Sequence, residues 1–488
     1  MAMTAQDLRN IADKPKLSNT AQIINLEDIE KKIREYIRLK IRNHAENKDR
    51  SKEYWEEEIR QYIDKNIENW NIAQFVNSDN EVDKNELSKV VIDDILNRGI
   101  LEPLLKDPEI DEIRLDGKNI IVVDRRNIPS FARDFKGDKL AFKSAQEQAS
   151  NINKLIIDSK TGLNSEYKLV NGRTVEGYRV SATHYSAIGK PKFKDLEGYS
   201  DVTIRKFEDK DFTLGELVKA ESLSDNMARL CKLLAPNISF VVVGEVFSGK
   251  TTFLKTLLNS IPNEKRMISI QYPVENDFRK YDEDHNLIND VLIWEAENEQ
   301  TVKNVSHTNT IENLLNHTLR NSPSIVSINE IRENREFYNA FIIGQTGHCV
   351  NTSYHAGSEE EACSIFTNRL ISITGQQYEV GLKDVTFFIK IIIHQGFVGL
   401  SERKVLGITE VIGHDGTRPI LQPLYRYDLQ EIKKNKKGNI TEIIGAHKQV
   451  GTLSDNLTTL LYRKGVSKDE LQFIQNMSKE ETYIGKKL

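Results

Sequence analysis

The chain has 488 residues, room for about three domains at roughly 150 residues each. Lys plus Arg number 68 and Asp plus Glu 73, so the formal charge is −5, and this mild acidity argues against general nucleic-acid binding as the main role. Three cysteines, Cys231, Cys349 and Cys363, make neither a disulfide framework nor a zinc pattern, and a reducing compartment is the simplest reading.

Residues 1–20 read as a disordered tail and hold no apolar signal core. Leu26, Ile29, Ile33, Ile37 and Ile41 recur at helical spacing, which predicts a helix over Leu26–Asn43 with Asn25 as its cap. Ala45–Lys52 is polar and ends it. A second helix carries Tyr54, Ile59, Tyr62, Ile63, Ile67 and Trp70 on its apolar side. Two readings stand for this region: a small helical domain, or an arm that docks a partner. A further helix runs over Leu87–Arg98 and stops at Gly99. Ile113–Leu115 and Ile120–Val123 flank Asp116-Gly117, a hairpin signal. The mixture of strands and helices up to about residue 210 reads as an α+β domain.

From Ser239 the grammar changes. Apolar strands are predicted at Ser239–Val243, Met267–Ile270, Val291–Trp294 and Ile325–Ile328. Helices fall between them, at Thr251–Ile261, Ile311–Arg320 and Arg335–Gly344. This alternation predicts an α/β fold with a mostly parallel sheet covered on both faces. Strands at Thr386–Ile393 and Val405–Ile412 extend or cover that sheet. The longest apolar run, Val385–Leu400, is broken by Lys390, His394 and Gln395 and is too short and polar to span a bilayer. Leu424–Tyr427 and Ile440–Ile444 flank Lys433, Lys434, Lys436 and Lys437, read as a solvated hairpin tip.

The chemistry concentrates in Gly244-Glu-Val-Phe-Ser-Gly249-Lys250-Thr251-Thr252. It fits G-x-x-x-x-G-K-[ST] between a strand and a helix, the context a phosphate loop requires. Gly244, Ser248, Gly249, Lys250, Thr251 and Thr252 are the candidate nucleotide-binding residues. Backbone N–H groups would cradle phosphate oxygens, helped by the helix N-terminus. Lys250 would reach the β- and γ-phosphates of ATP, and the Thr251 hydroxyl would bind Mg²⁺. Glu330 stands at the carboxyl end of the Ile325–Ile328 strand, where an acid that positions Mg²⁺ or water belongs. Glu275 follows another core strand and is a candidate to orient or deprotonate the attacking water. His355 ends a short strand after Thr346-Gly347-His348; by spacing alone it is a structural histidine or a site residue.

Together these residues resemble the secretion (traffic) ATPases of type II and type IV systems. The resemblance rests on the phosphate loop, Ile270-Gln-Tyr-Pro-Val-Glu275, Ser324-Ile-Val-Ser-Ile-Asn-Glu330-Ile-Arg332, Thr346-Gly-His348 and Tyr354-His355-Ala356, in that order. It is nearest to the Tad/Flp-pilus and conjugative type IV branch. Gly99–Ile113 looks like the opening of that branch's N-domain. Val170-Asn-Gly-Arg-Thr-Val175 looks like its D-G-x-R-V segment, and Thr203-Ile-Arg205-Lys-Phe207 like its I-R-K-F join. The resemblance covers about residues 85–470.

The resemblance implies a RecA-like P-loop ATPase core preceded by an α+β N-domain. It divides the chain into a helical N-terminal arm (1–84), an α+β domain (85–210), the ATPase domain (211–415) and a C-terminal appendage (416–488). It implies a cytoplasmic homo-hexamer that uses ATP and Mg²⁺ and docks on an inner-membrane platform protein. The chain itself would span no membrane and take no nucleic acid as a direct ligand. Glu275 falls on the catalytic glutamate, Glu330 on the acid of the Walker B strand and a metal partner beside Thr251, and His355 on the nucleotide-sensing histidine. Arg173 and Arg205 fall on arginines that reach the phosphates, a role worth ~10³–10⁵ in rate. Arg320 matches another arginine position near the active site.

Departures accompany the match. Gln271 and Tyr272 replace an acidic pair, Asn329 replaces a glycine, and Glu245, Val246 and Phe247 fill the phosphate loop. Loss of the acidic pair is expected to loosen order around Mg²⁺ and slow turnover. No tetracysteine module is present, which disfavours the type II branch. Two rivals remain: a nucleic-acid motor, and a nucleotide-binding scaffold that hardly hydrolyses.

Overall fold

A computed structural model describes residues 26–43, 52–67, 70, 84–124, 128–134, 136–156, 162–206, 211–272, 274–296, 309–399, 402–436, 440–476 and 484–487. The expected tail at 1–20, the Asn25 cap, the polar stretch after the first helix, Phe207 and Lys437 lie outside them. The chain divides into two units, Met1–Glu208 and Asp209–Leu488.

The first unit opens with helices α1 (Leu26–Asn43), α2 (Lys52–Asn66) and α3 (Lys84–Leu96). Each buries a ladder with four-residue spacing, which keeps its members on one helix face. Ile29, Ile33 and Ile37 belong to α1, Trp55, Ile59 and Ile63 to α2, and Leu87, Val91 and Ile95 to α3. All join one apolar cluster, and that cluster includes Val175. The apolar faces are therefore covered within the unit, as in a small helical domain. The short helix α4 (Glu102–Lys106) follows.

Strands β1 (Ile110–Asp116), β2 (Asn119–Asp124) and β3 (Pro129–Phe131) precede helix α5 (Ala145–Leu155); β4 (Leu169–Arg173), β5 (Arg179–Thr183) and β6 (Asp201–Arg205) follow it. They form an antiparallel sheet in the order β3-β2-β1-β6-β5-β4. The predicted hairpin is present: Asp116 pairs with Asn119 across Gly117, whose φ of +58° suits glycine in a two-residue turn. Ile152 and Leu155 of α5 pack with Ile113, Ile120, Val180 and Ile204 of the sheet.

The second unit begins with helices α6 (Leu214–Lys219) and α7 (Asp225–Leu234), strand β7 (Phe240–Gly244) and helix α8 (Lys250–Asn259). Then come β8 (Met267–Gln271), β9 (Val291–Glu295), α9 (Ile311–Thr318), β10 (Ile325–Ile328), α10 (Asn334–Gln345) and β11 (Cys349–His355). Helices α11 (Glu359–Thr374) and α12 (Tyr378–Phe388) precede the long strands β12 (Ile391–Val398), β13 (Glu402–His414), β14 (Pro419–Lys434) and β15 (Ile440–Gln449). Helices α13 (Asp455–Arg463) and α14 (Lys468–Gln475) and strand β16 (Ile484–Lys487) complete it.

One sheet runs β16-β15-β14-β13-β12-β7-β11-β10-β8-β9. From β12 to β9 neighbours are parallel, and from β13 outward they are antiparallel. Alternation along β7 shows how both faces are used. Phe240 and Val242 join Met227, Leu257 and Leu461 on one face, whereas Val241 and Val243 join Phe337, Phe366 and Val385 on the other. A strand buried on both faces reads as an unbroken apolar run, which is why Phe240–Val243 was legible as a core strand.

One predicted strand is corrected. Thr386–Phe388 belongs to α12, and the strand begins only at Ile391. Leu382, Val385 and Phe388 fall at helical spacing and are buried, and the Thr386 hydroxyl donates to the Leu382 carbonyl at 2.9 Å. A short apolar run does not distinguish helix from strand by composition.

Candidate functional site

Because β7, β11, β10 and β8 are parallel neighbours, their carboxyl ends share one edge of the sheet. The phosphate loop follows β7, His355 ends β11, Asn329-Glu330 follows β10, and the loop with Glu275 follows β8. That edge is where α/β sheets bind ligands.

The loop from Gly244 to Lys250 is wound tightly. A Cβ on Gly244 would lie 1.9 Å from the Gln395 carbonyl oxygen. Phe247 and Gly249 adopt φ of +65° and +89°. Ser248 Oγ and Lys250 Nζ both donate to the Glu245 carbonyl, at 2.8 and 2.6 Å. Arg403 Nε, from β13, donates to the Phe247 carbonyl at 3.1 Å. The Glu245 and Phe247 carbonyls are thus engaged by side chains. Helix α8 starts at Lys250 with Gly249 as a cap that brings no side chain, leaving its first N–H groups to an anion. A tight loop that ends at an uncapped helix N-terminus beside a lysine has the polarity a polyphosphate needs.

Lys250 Nζ also lies 3.0 Å from His355 Nδ1. An ammonium only donates, so Nδ1 accepts and the ring proton sits on Nε2. Nε2 is 3.0 Å from Glu330 Oε1. The other carboxylate oxygen accepts from Arg332 Nε and Nη2 at 3.0 and 2.8 Å. A continuous polar chain therefore runs Lys250–His355–Glu330–Arg332. Burial first, and then Lys250, push the His355 pKa below its ordinary value against the pull of Glu330. Burial disfavours the Arg332 charge, but Glu330 outweighs it and raises the Arg332 pKa. The backbone N–H of Glu275 donates to Gln271 Oε1 at 3.0 Å, which pins the start of its loop to the end of β8.

In the first unit Arg173 pairs with Arg179 across β4 and β5, and Arg179 with Arg205 across β5 and β6. Directly opposed residues share a face, so the three arginines form one row on the sheet. Arg320 is exposed just past the end of α9. It precedes β10, on the sheet edge opposite the phosphate loop. His348 stands at the start of β11, on that same opposite edge, and its Nδ1 pairs with Thr346 Oγ1 at 2.7 Å.

The family described as "Type II/IV secretion system protein" matches residues 110–402, more than half of the chain. The protein belongs to the type II/IV secretion system family. The uncharacterized protein MJ0900 of Methanocaldococcus jannaschii is 26% identical over 269 residues, covering 54% of this chain and 44% of that one. The type IV secretion system protein VirB11 of Brucella abortus is 26% identical over 316 residues, covering 60% of this chain and 83% of its own length. Among solved structures, the Legionella pneumophila ATPase DotB matches at TM-score 0.46 and 17% identity, covering 63% of this chain and 78% of DotB. The chain thus spans under half the length of MJ0900 and most of VirB11.

The family match, with the P-loop strand order above, identifies the second unit's core as a RecA-like ATPase fold of the type II/IV secretion family. Helices α1–α4 and the strands from β14 onward lie outside the matched residues. Among the described residues no helix is long and apolar enough to cross a membrane.

The donor set also bears on the metal. Thr251 is exposed at the first turn of α8, and Glu330 is an oxygen donor on the same sheet edge. Among the described residues no cluster of three or more His, Cys, Asp or Glu could hold an ion by itself. Few protein oxygens beside a phosphate cradle suit Mg²⁺, which keeps waters and takes substrate phosphates as ligands. The residues fit the ion on those terms.

Sequence reasoning gave no role to Arg332, Arg403 or Arg179. Arg332 follows Glu330 by only two positions, and its guanidinium returns to that carboxylate. Arg179 ends Gly177-Tyr178-Arg179, which is followed by Val180 and so keeps G-x-R-V spacing. Arg403 carried no local signal, since 156 positions separate it from Phe247.

Proposed function

We propose that the protein hydrolyses ATP to power pilus assembly or substrate transport by a type IV or Tad-type secretion machine. In this reading six copies form a cytoplasmic ring docked on an inner-membrane platform protein. No direct nucleic-acid ligand is part of it. The chain is divided by role into the helical segment at 1–84, the α+β domain at 85–210, the ATPase domain at 211–415 and the appendage at 416–488.

The observation that carries the reading is the chain Lys250–His355–Glu330. It links the group that touches the terminal phosphates to the acid at the end of the neighbouring core strands. Arrival of ATP gives Lys250 phosphate oxygens in place of the Glu245 carbonyl and His355. His355 then changes its hydrogen bond, and Glu330 receives that change. Glu275 orients the attacking water and takes its proton. Arg173 and Arg205 neutralise phosphate charge, as the resemblance implies. Phosphoryl transfer needs positioning and charge stabilisation rather than a covalent intermediate. Mg²⁺, when bound, adds charge neutralisation at the phosphates, with Thr251 and Glu330 as its protein partners.

The test is phosphate release and nucleotide binding by wild type, Lys250→Ala and Glu275→Gln. Lys250→Ala should lose both. Glu275→Gln should retain binding and lose hydrolysis by about a hundredfold or more, the range of a positioned base. Equal, slow release by wild type and Lys250→Ala would mark a scaffold instead. Stimulation of at least about tenfold by DNA would mark a nucleic-acid motor, since −5 net charge gives no general affinity for phosphate backbones.

A further inference from the structure

Gln271 and Asn329, two of the chain's departures from the family pattern, touch each other. Asn329 Nδ2 donates to Gln271 Oε1 at 3.2 Å, although 58 positions separate them. Gln271 is 1% exposed. The same Oε1 accepts from the Glu275 and Asn276 backbone N–H groups, each at 3.0 Å. Its Nε2 donates to the Asn276 carbonyl at 2.7 Å and to Ser269 Oγ at 3.1 Å. Reversing the amide would turn its NH2 toward three donors, so the network fixes the orientation. A carboxylate at 271 would keep the donors to its oxygen. It would also set a second oxygen against the Asn276 carbonyl, acceptor against acceptor, in a buried site. A glycine at 329 would remove the side-chain cross-link and leave the 329 N–H on the Ile270 carbonyl at 3.4 Å. Asn329 is in turn held through its carbonyl, which accepts from Ser353 Oγ at 2.5 Å.

We infer that Gln271 and Asn329 form an amide latch that holds the Glu275 loop and the Glu330 strand end in one register. They act as positioning residues for the two carboxylates. The inference rests on the proposed ATPase function for what those carboxylates do. Each end of the latch adjoins one acid: Asn329 is the residue before Glu330, and the Glu275 N–H is itself bonded to Gln271. Neither acid can shift along the sheet edge without breaking these bonds. The amides thus replace, by hydrogen bonding, the order that an acidic pair is expected to give. Turnover is then not slowed by the loss of that pair.

The experiment compares full-length wild type, Gln271→Met, Asn329→Gly and the double variant. Each single change should lower kcat about tenfold while KM for ATP stays within about twofold, since a lost buried bond is of that order. The double variant should fall no further than the worse single one, because both break the same link. Hydrogen exchange supplies a readout independent of hydrolysis. Asn329→Gly should speed exchange at the Glu275 and Asn276 amides by at least about fivefold and leave β7 unchanged. Asn329→Ala serves if the glycine variant misfolds. Log-additive kcat losses, or unchanged exchange at 275 and 276, would overturn the latch. A wild type without hydrolysis would sink the ATPase reading, while the exchange arm would still decide the latch.

Discussion

Arg98 offers the most quantitative test of how the first unit is held. It is 1% exposed. Its Nη1 and Nη2 meet both oxygens of Glu176 at 2.7 and 2.6 Å, and its Nε donates to Glu102 at 3.0 Å. Replacing it by Met keeps much of the volume and strips the largely buried Glu176 of its cation, while Glu102 keeps Lys106 at 3.8 Å. Removing one partner of a buried pair costs about 3–5 kcal/mol. At roughly 2–4 °C per kcal/mol for a unit of this size, melting should fall by roughly 6–20 °C. Trp55 and Trp70 lie in the first unit and only Trp294 in the second, so tryptophan emission during urea or thermal unfolding reports mainly on the affected unit.

The pH dependence sharpens the test. Burial alone would raise the Glu176 pKa, but Arg98 outweighs it and holds the carboxyl below its ordinary value. The stabilisation is therefore complete above the unfolded value of about 4.3 and is lost as pH falls through the folded one. In Arg98→Met burial is opposed only by hydrogen bonds from Thr174 and the Glu176 backbone, so folded Glu176 protonates more readily than in the wild type. The variant's deficit should be largest near about pH 7 and shrink toward about pH 4. A deficit under about 1 kcal/mol, or one equal at both pH values, would refute the argument.

Two further outcomes follow from the site. His355→Asn should keep ATP binding and lower hydrolysis at least about tenfold. The wild-type rate should fall as pH drops through the His355 pKa, which burial and Lys250 hold below its ordinary value, because a doubly protonated ring adds positive charge beside Lys250 and has no acceptor with which to switch its hydrogen bond; the variant should lack that acid limb in a pH–rate profile. Gly244→Ala should abolish binding of a fluorescent ATP analogue, since the new methyl would meet the Gln395 carbonyl at 1.9 Å; retained affinity would show that β7 and β12 can part at little cost.

Much of this was legible in the sequence because the signals were local. Leu26–Asn43 follows one helical stripe and occupies those bounds. The phosphate loop announced itself by glycines flanked by an apolar strand and a helix. What sequence did not reveal was contact between distant side chains. Gln271 and Asn329 read as missing acid and missing glycine, and only side-chain geometry turns the two absences into a hydrogen bond. Arg179 escaped because its meaning comes from β-pairing with Arg173 and Arg205. The α12 segment was misread because Thr386–Ile393 is apolar enough for either element.

The Trp55 indole N–H donates to the Val175 carbonyl at 3.0 Å, and Val175 itself sits among the helices α1–α3. Those helices precede the family match at residue 110, whereas Val175 lies inside it. The boundary drawn by sequence kinship therefore cuts through a shared core. The β4–β5 hairpin that carries Arg173 and Arg179 has given up a valine to the added segment. Grafting the helices of another relative onto this chain would require exchanging residues 174–177 as well, so the two parts are expected to evolve as one inheritance.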